Sequence, residues 1–418
     1  MFDINGKIDD KLLFLVEKEK LRQKRAIDLI ASENFAPDSV LKLIGSELTN
    51  KYSEGYPKAR YYPGNEIYDK IENIARLKAL KLFKLSPLKW DVNVQPYSGA
   101  IANLAIYNAF LSLKDKILSM GLSSGGHLSH GSRASFTGKL FNFFHYDVDE
   151  FYDIDYSKIK SLAKKIKPKM IVSGASAYPK KIDFKKIGQI AGSFGALHLA
   201  DISHYAGLIS AQKYPSPFDS SDIVMTTTHK SLFGPRAAVI FVNKESEIFR
   251  RQKIDPIKAI NKSIFPGIQG GPHENIIAAI AQGMILSSSK NAKNYYSQVI
   301  KNANTLCLEM KKLGFEIVGG ETQSHLFLFK TDNLKIDGAQ AEKLLEEGGI
   351  LANRNMIFGD TSPFKPSAVR VGVYAVTTMG MKEKEMKTIA GFIKRILIDR
   401  ESPKMIKKEA EILRKKFK

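Results

Sequence analysis

Short apolar runs alternate with longer amphipathic stretches along most of this chain. MIVSGAS (Met170–Ser176), ALHLAD (Ala196–Asp201), DIVMTTT (Asp222–Thr228) and AAVIFV (Ala237–Val242) are too short for typical helices, and each is built around consecutive or near-consecutive apolar residues. Such runs read as strands buried on both faces. Between them lie segments such as FKKIGQIAGSFG, whose apolar residues return at helical spacing. Strands alternating with helices predict an α/β fold around a mostly parallel sheet.

The flanks read differently. From Asp9 to about Ile30 the spacing is that of an amphipathic helix, and this segment is expected to form an arm. A long helical pattern opens near Glu274 and runs past Met284; strands are then expected near Gly314–Val318 and Ser324–Lys330, and the chain ends in charged helix. Length suggests two or three domains. The expected division is an N-terminal helical arm over residues 1–30, a large domain over 31–285 and a smaller α/β domain over 286–418.

In an open α/β sheet, ligands bind outside the carboxyl ends of the strands. Three of the strands predicted above end in polar residues: Ser176, Asp201, and the pair His229-Lys230. A lysine right after a buried strand is partly desolvated, and desolvation makes its amine a better Schiff-base nucleophile. Taken alone, each residue has an ordinary reading: a surface lysine, a capping aspartate, a cap neighbour at His204. PYSGAIANLAIYNAF (Pro96–Phe110) places Ser98, Gly99 and Ala100 at the start of an apolar helix, where free backbone N–H groups and the helix dipole favour phosphate. Pyridoxal 5'-phosphate (PLP) needs such a lysine, a carboxylate to keep its ring nitrogen protonated, and a phosphate cradle. GLSSGGHLSHGS (Gly121–Ser132) adds a glycine-rich segment with His127 and His130. It is not a nucleotide phosphate loop, because Gly138-Lys139 is followed by Leu140. The two histidines lack nearby cysteines and a third ligand, so no metal is expected.

Composition mainly excludes. Among 418 residues 44% are hydrophobic and 26% charged, an ordinary soluble balance. No apolar run approaches the ~18–20 residues needed to cross a bilayer, so no membrane partner is expected. The opening MFDINGKIDDKLL carries acids early and resembles neither a secretory signal nor a transit peptide. Cys307 is the one cysteine, so a reducing, cytoplasmic setting is expected. The net charge of +21 comes from scattered lysines without an aromatic-studded stripe. It reads as a solvated surface that could draw in anionic substrates, with no nucleic-acid partner expected.

The motifs DLIASEN, NKYSEGYPKARYY, PYSGA, SGGHLSHGS, LADISHYAGLI, TTTHKSLFGPR, GIQGGPHEN and SPFKPSAVRVG occur in the order and at the spacing of the serine hydroxymethyltransferase (glycine hydroxymethyltransferase) family. The chain resembles that family from Leu29 to Gly372. The resemblance implies a PLP-dependent transferase of fold type I, with a mostly parallel seven-stranded sheet in the large domain. It implies reversible interconversion of L-serine and tetrahydrofolate with glycine and 5,10-methylenetetrahydrofolate, in a homodimer with shared active sites. Lys230 would form the Schiff base with PLP and Asp201 would pair with the ring nitrogen. His127 would stack on the ring, with Ser176 and His204 beside its hydroxyl. Ser98, Gly99 and Ala100 would hold the phosphate, joined by Gly271 from a partner chain. Arg370 would fork onto the substrate carboxylate, with Ser32 nearby and His229 tuning substrate preference. Tyr52, Glu54 and Tyr62 would enter from the partner, Glu54 as proton manager. Folate contacts would fall on Leu122, Gly126, Leu128, Asn355, Ser362, Pro363 and Phe364.

The chain also departs from the family's pattern. GPRGG becomes Gly234-Pro235-Arg236-Ala237-Ala238, RYYGG becomes Arg60-Tyr61-Tyr62-Pro63-Gly64, and GTPA becomes Gly372-Val373-Tyr374-Ala375. Phe358 stands near Asn355, where the family has a proline. Phe358, Val373 and Tyr374 are expected to crowd the folate region. The alternative function is therefore a folate-independent PLP aldolase or transaldolase of β-hydroxy amino acids. A catalytically silent binding protein is disfavoured, because Lys230, Asp201, Arg370 and Glu54 are all present.

Overall fold

The computed structural model describes residues 6–362 and 364–417. At its centre lie seven strands: β1 (Trp90–Asn93), β2 (Lys116–Met120), β3 (Asn142–Tyr146), β4 (Met170–Ser173), β5 (Leu197–Asp201), β6 (Ile223–Thr227) and β7 (Ala238–Asn243). Their order across the sheet is β1-β7-β6-β5-β4-β2-β3. Strands β2 to β6 run parallel, and β7 is antiparallel to both β6 and β1. This is the mostly parallel α/β arrangement that the sequence predicts.

Side-chain alternation explains why the runs are apolar throughout. Leu118, Ile171, Ala200 and Val224 point into one buried cluster, with the helix Phe184–Ser193. Their chain neighbours Ile117, Met170, Val172, Leu199 and Ile223 point into another, with the helix Gly99–Phe110. A sheet covered on both faces needs apolar residues at every position.

A second sheet is antiparallel, in the order Leu326–Lys330, Ala368–Gly372, Asn353–Asn355. Arg370 sits on its central strand, opposite Leu328 on one side and Asn353 on the other. Helices Lys290–Lys312 and Glu383–Leu397 pack against each other beside it.

Two local expectations need correction. The first helix runs only from Asp10 to Arg25, because Ala26 turns extended and Ile27–Asp28 pairs with Ile350–Leu351. No strand forms over Gly314–Val318; only Ile317 bridges, to Phe329. Backbone pairing there is limited to the Val318 N–H to the Leu328 carbonyl and the Lys330 N–H to the Glu316 carbonyl, both 2.9 Å. No helix of the described residues is long and apolar enough to cross a membrane.

Candidate active site

Parallel strands β4, β5 and β6 deliver their carboxyl ends side by side, and the cleft opens there. β6 ends at Thr227, and the next residues turn tightly. Thr228 donates its N–H to the Ala237 carbonyl (3.1 Å) and its hydroxyl to the Pro235 carbonyl (2.6 Å). Lys230 follows, 8% exposed, with Nζ donating to Thr227 Oγ1 at 3.0 Å. Burial pushes this amine down to about 8; Asp201 pulls it up, while Arg370 and Arg236 push it further down.

Asp201 closes β5 and is buried. Oδ1 accepts from the Ser203 N–H (3.0 Å) and hydroxyl (2.6 Å). Oδ2 accepts from His130 Nε2 (3.1 Å) and Asn103 Nδ2 (3.3 Å). Burial alone would raise this carboxyl, but His130, His127 and Ser203 together hold it well below the usual carboxylate range. The site therefore contains a buried carboxylate that stays ionised.

Asn103, His130 and Ser203 were missing from the sequence-based site. Tyr107 OH lies 2.7 Å from His130 Nδ1, so His130 bridges a helix tyrosine and the aspartate. Asn103 also donates to Ser129 Oγ (2.8 Å), which lies 2.7 Å from His127 Nδ1. A signal existed for Asn103, a polar residue on the buried face of an otherwise apolar helix. His130 is found only by the contact itself, across 71 positions of sequence.

Ser98 caps the helix Gly99–Phe110. A Cβ at Gly99 would lie 2.7 Å from Thr227 Cγ2, so only glycine lets this helix start approach the strand that carries the lysine. Ser98, Gly99 and Ala100 line the cleft, so this helix start is a cradle suited to phosphate.

Opposite lies the loop 121–131. His127 is half-buried, and burial, reinforced by His130, pushes its imidazole down to about 4. Gly125 takes a left-handed turn, and its carbonyl accepts from the Ser176 N–H at 2.8 Å. Arg370 reaches over from the second sheet. Its Nη1 donates to the Ser176 carbonyl (2.7 Å), and Nε and Nη2 donate to Asn353 Oδ1 (3.1 and 2.9 Å). Burial lowers this guanidinium only to about 10, so it remains a cation at neutral pH. His229 is pushed down to about 3 by burial and by Lys230, and its Nδ1 has no partner among the described residues.

These groups line one cavity of about 540 Å³. Ser98, Gly99, Ala100, His127, Ser176, Asp201, His204, His229 and Lys230 all contribute to its wall. So do Ser32, Arg370, Leu122, Gly126, Leu128 and Asn355. Tyr52, Glu54, Tyr62 and Gly271 do not line it. They form a separate cluster, with Tyr52 and Tyr62 ring centroids 5.4 Å apart and Tyr52 against Gly271. Arg60 anchors this loop, donating to the Ser53 and Gly55 carbonyls and to Asp69 and Glu72. Ser362 and Phe364 also lie off the cavity wall, Phe364 largely exposed, and Pro363 lies outside the described residues.

The expected crowding by the departures is not found. Val373 and Tyr374 are fully buried behind the wall, and Phe358 lines a different depression, with Tyr152 and Lys180. Ala237 and Ala238 are buried where β7 begins. None of the five borders the cleft.

The donor set fits PLP. It offers a buried amine for an aldehyde, an ionised carboxylate for a ring nitrogen, an imidazole from the facing loop, and a helix start whose cradle a Cβ would fill. Among the described residues no group of three or more His, Cys, Asp or Glu side chains converges as a metal site.

Comparison with known proteins agrees. The family model described as serine hydroxymethyltransferase matches residues 6–393. A serine hydroxymethyltransferase of Methanosarcina barkeri is 45% identical over 410 residues, covering 98% of this chain and 96% of its own length. A mitochondrial serine hydroxymethyltransferase of Kluyveromyces lactis is 45% identical over 399 residues, covering 93% of this chain and 80% of its own.

Proposed function

The chain belongs to the serine hydroxymethyltransferase family, and we propose that the cleft around Lys230 is where it performs that family's reaction. The protein is a PLP-dependent glycine hydroxymethyltransferase of fold type I. It interconverts L-serine and tetrahydrofolate with glycine and 5,10-methylenetetrahydrofolate, rather than acting as a folate-independent aldolase.

When bound, PLP supplies an electron sink for the bonds at the substrate α-carbon. The chain's own residues hold and orient. Lys230 presents a desolvated amine whose burial keeps a larger neutral fraction available at neutral pH. Asp201, held ionised by His130, His127 and Ser203, would pair with the ring nitrogen and favour its protonated form. The helix start at Ser98–Ala100, which lines the cavity, would hold the phosphate, and His127, its imidazole pushed down to about 4, would lie against the ring. Arg370 is already tied to Asn353 and Ser176, so its remaining N–H groups are fixed in direction for a carboxylate. Leu122, Gly126, Leu128 and Asn355 shape the wall offered to folate.

The functional unit in this reading is a homodimer. Helix Asp10–Arg25 buries none of its residues, and Leu12, Phe14, Val16 and Leu21 are exposed on it. Apolar surface of that extent on a free arm favours burial against a second copy. Tyr52, Glu54, Tyr62 and Gly271 are half-buried or exposed and cluster away from their own chain's cavity, as residues donated to a neighbour's cavity would. Glu54 would then move protons in the partner's cleft. The division into an arm (1–30), a large domain (31–285) and a small domain (286–418) and a cytoplasmic location with Cys307 reduced belong to the same reading.

The observation that carries the assignment is the convergence of buried Lys230 and buried Asp201 on one cavity from neighbouring strand ends. Borohydride reduction of the PLP-loaded protein and peptide mapping should place the pyridoxyl group on Lys230. Label on another lysine would refute it.

A further inference from the structure

Tyr374 stands where the related pattern has a proline, and it is fully buried behind the cavity wall. Its hydroxyl donates to the backbone carbonyl of His204 at 2.8 Å. Its ring stacks on His325, centroids 4.1 Å apart and planes 20° apart. His325 in turn places Nε2 3.3 Å from His204 Nδ1, with the two rings stacked at 5.5 Å. His204 and His325 are both buried, and His204 alone of the three rings reaches the cavity.

The contacts of Tyr374 do not stop there. Its carbonyl accepts from Tyr295 OH at 3.1 Å. Tyr295 OH also accepts from Asn34 Nδ2 (3.3 Å), and Asn34 Nδ2 donates to the Lys230 carbonyl at 2.9 Å. Through its hydroxyl Tyr374 reaches the strand end after Asp201. Through its carbonyl it reaches, by two side chains, the backbone of Lys230. A proline at 374 could supply neither the hydroxyl nor the stacked ring.

We infer that Tyr374 is a positioning residue that fixes the His204 ring against the cofactor, through the His204 carbonyl and the stack with His325. This rests on the reading of the cleft as the PLP site. His204 Nδ1 faces His325 inside the wall, which leaves Nε2 as the atom presented to the cleft. Lys230, Arg370 and His127 lie near enough to act on the charge of the His204 ring, and the Tyr205 ring lies 6.5 Å from it. A ring free to rotate would present either nitrogen to the cofactor; a ring clamped between a buried imidazole and a backbone bond presents one. The residue that departs from the pattern therefore tightens the cofactor site and leaves the folate wall untouched.

The test uses the full chain reconstituted with PLP and three variants: Tyr374→Phe, His204→Ala and the double variant. Two quantities are read besides turnover, the PLP dissociation constant and the pH midpoint of the bound chromophore's absorbance. Tyr374→Phe should weaken PLP by about tenfold, the scale of one lost buried hydrogen bond, and move the midpoint by about half a unit or more. His204→Ala should move both at least as far. In the His204→Ala background, Tyr374→Phe should add nothing to the midpoint shift, because it acts through that ring. A Tyr374→Phe protein that melts earlier but keeps both quantities would overturn the inference, as would an undiminished midpoint shift in the double variant. If His204→Ala itself moves neither quantity, the reading of His204 as a cofactor neighbour fails first. Should Tyr374→Phe yield no soluble protein, His325→Leu removes the middle ring and is judged by the same two readouts.

Discussion

Burial and Asp201 act on the buried amine of Lys230 in opposite directions, and that opposition has a measurable sign. Burial favours the neutral amine, and Asp201 favours the ammonium. Uptake of PLP by the cofactor-free protein needs the neutral form, so its rate should rise with pH and reach half its maximum near 8. An ordinary lysine would place that midpoint near ~10.4. Asp201→Asn removes the group that raises the amine, and the midpoint should fall below that of the native chain. A midpoint that rises on this substitution would contradict the electrostatic account. Arg370 gives a second residue-level prediction. Arg370→Lys should weaken apparent serine affinity by roughly tenfold or more while PLP affinity changes little, because a lysine lacks the fork that bonds Asn353 and a carboxylate together. Unchanged serine binding would assign the carboxylate to another residue. At this scale the sequence revealed the groups that end strands, Lys230 and Asp201, because a strand end is visible in the pattern. It did not reveal His130 or Ser203, whose roles depend on contacts that only the folded chain makes.

At the scale of elements, the site depends on how closely the helix Gly99–Phe110 approaches β6. Gly99→Ala would drive a methyl into Thr227 Cγ2, and Thr227 holds the lysine amine through Oγ1. Overpacking of this kind costs about 1–3 kcal/mol, and here it should lower both the melting temperature and PLP affinity. Thr227→Ser removes the offending methyl and keeps the hydroxyl, so Gly99→Ala/Thr227→Ser should recover most of both losses. No recovery would mean that the glycine matters for another reason. Strands β4 to β7 were readable because alternate residues serve two buried faces. β3, in contrast, is an edge strand with Asn142, Phe144 and His145 exposed, and its pattern NFFHY did not stand out. The misreading at Gly314–Val318 has the same root: apolar residues there pack against the second sheet through a single bridge instead of joining it.

At the scale of the molecule, the proposed homodimer joins two clusters that stand apart on one chain. Glu54 and Tyr52 lie outside the cavity that holds Lys230, and in the proposed homodimer they complete the site of the second copy. Mixing a Lys230→Ala variant with a Glu54→Gln variant should therefore restore some activity, since one of the two sites in a hybrid dimer has both native residues. An active monomer at assay concentration would refute the shared-site arrangement. The departures at Phe358, Val373 and Tyr374 looked in sequence like threats to the folate wall, because position along the chain does not show which side of a wall a ring occupies. In the fold, Tyr374 turns inward onto His325 and His204, and Phe358 faces another depression. The most direct measurement is conversion of serine to glycine by the PLP-loaded protein, with and without tetrahydrofolate. The account predicts turnover that depends on tetrahydrofolate and disappears in Lys230→Ala, together with a strong long-wavelength absorbance when glycine and tetrahydrofolate are added. Folate-independent cleavage of allo-threonine, with no serine turnover and no such absorbance, would contradict it.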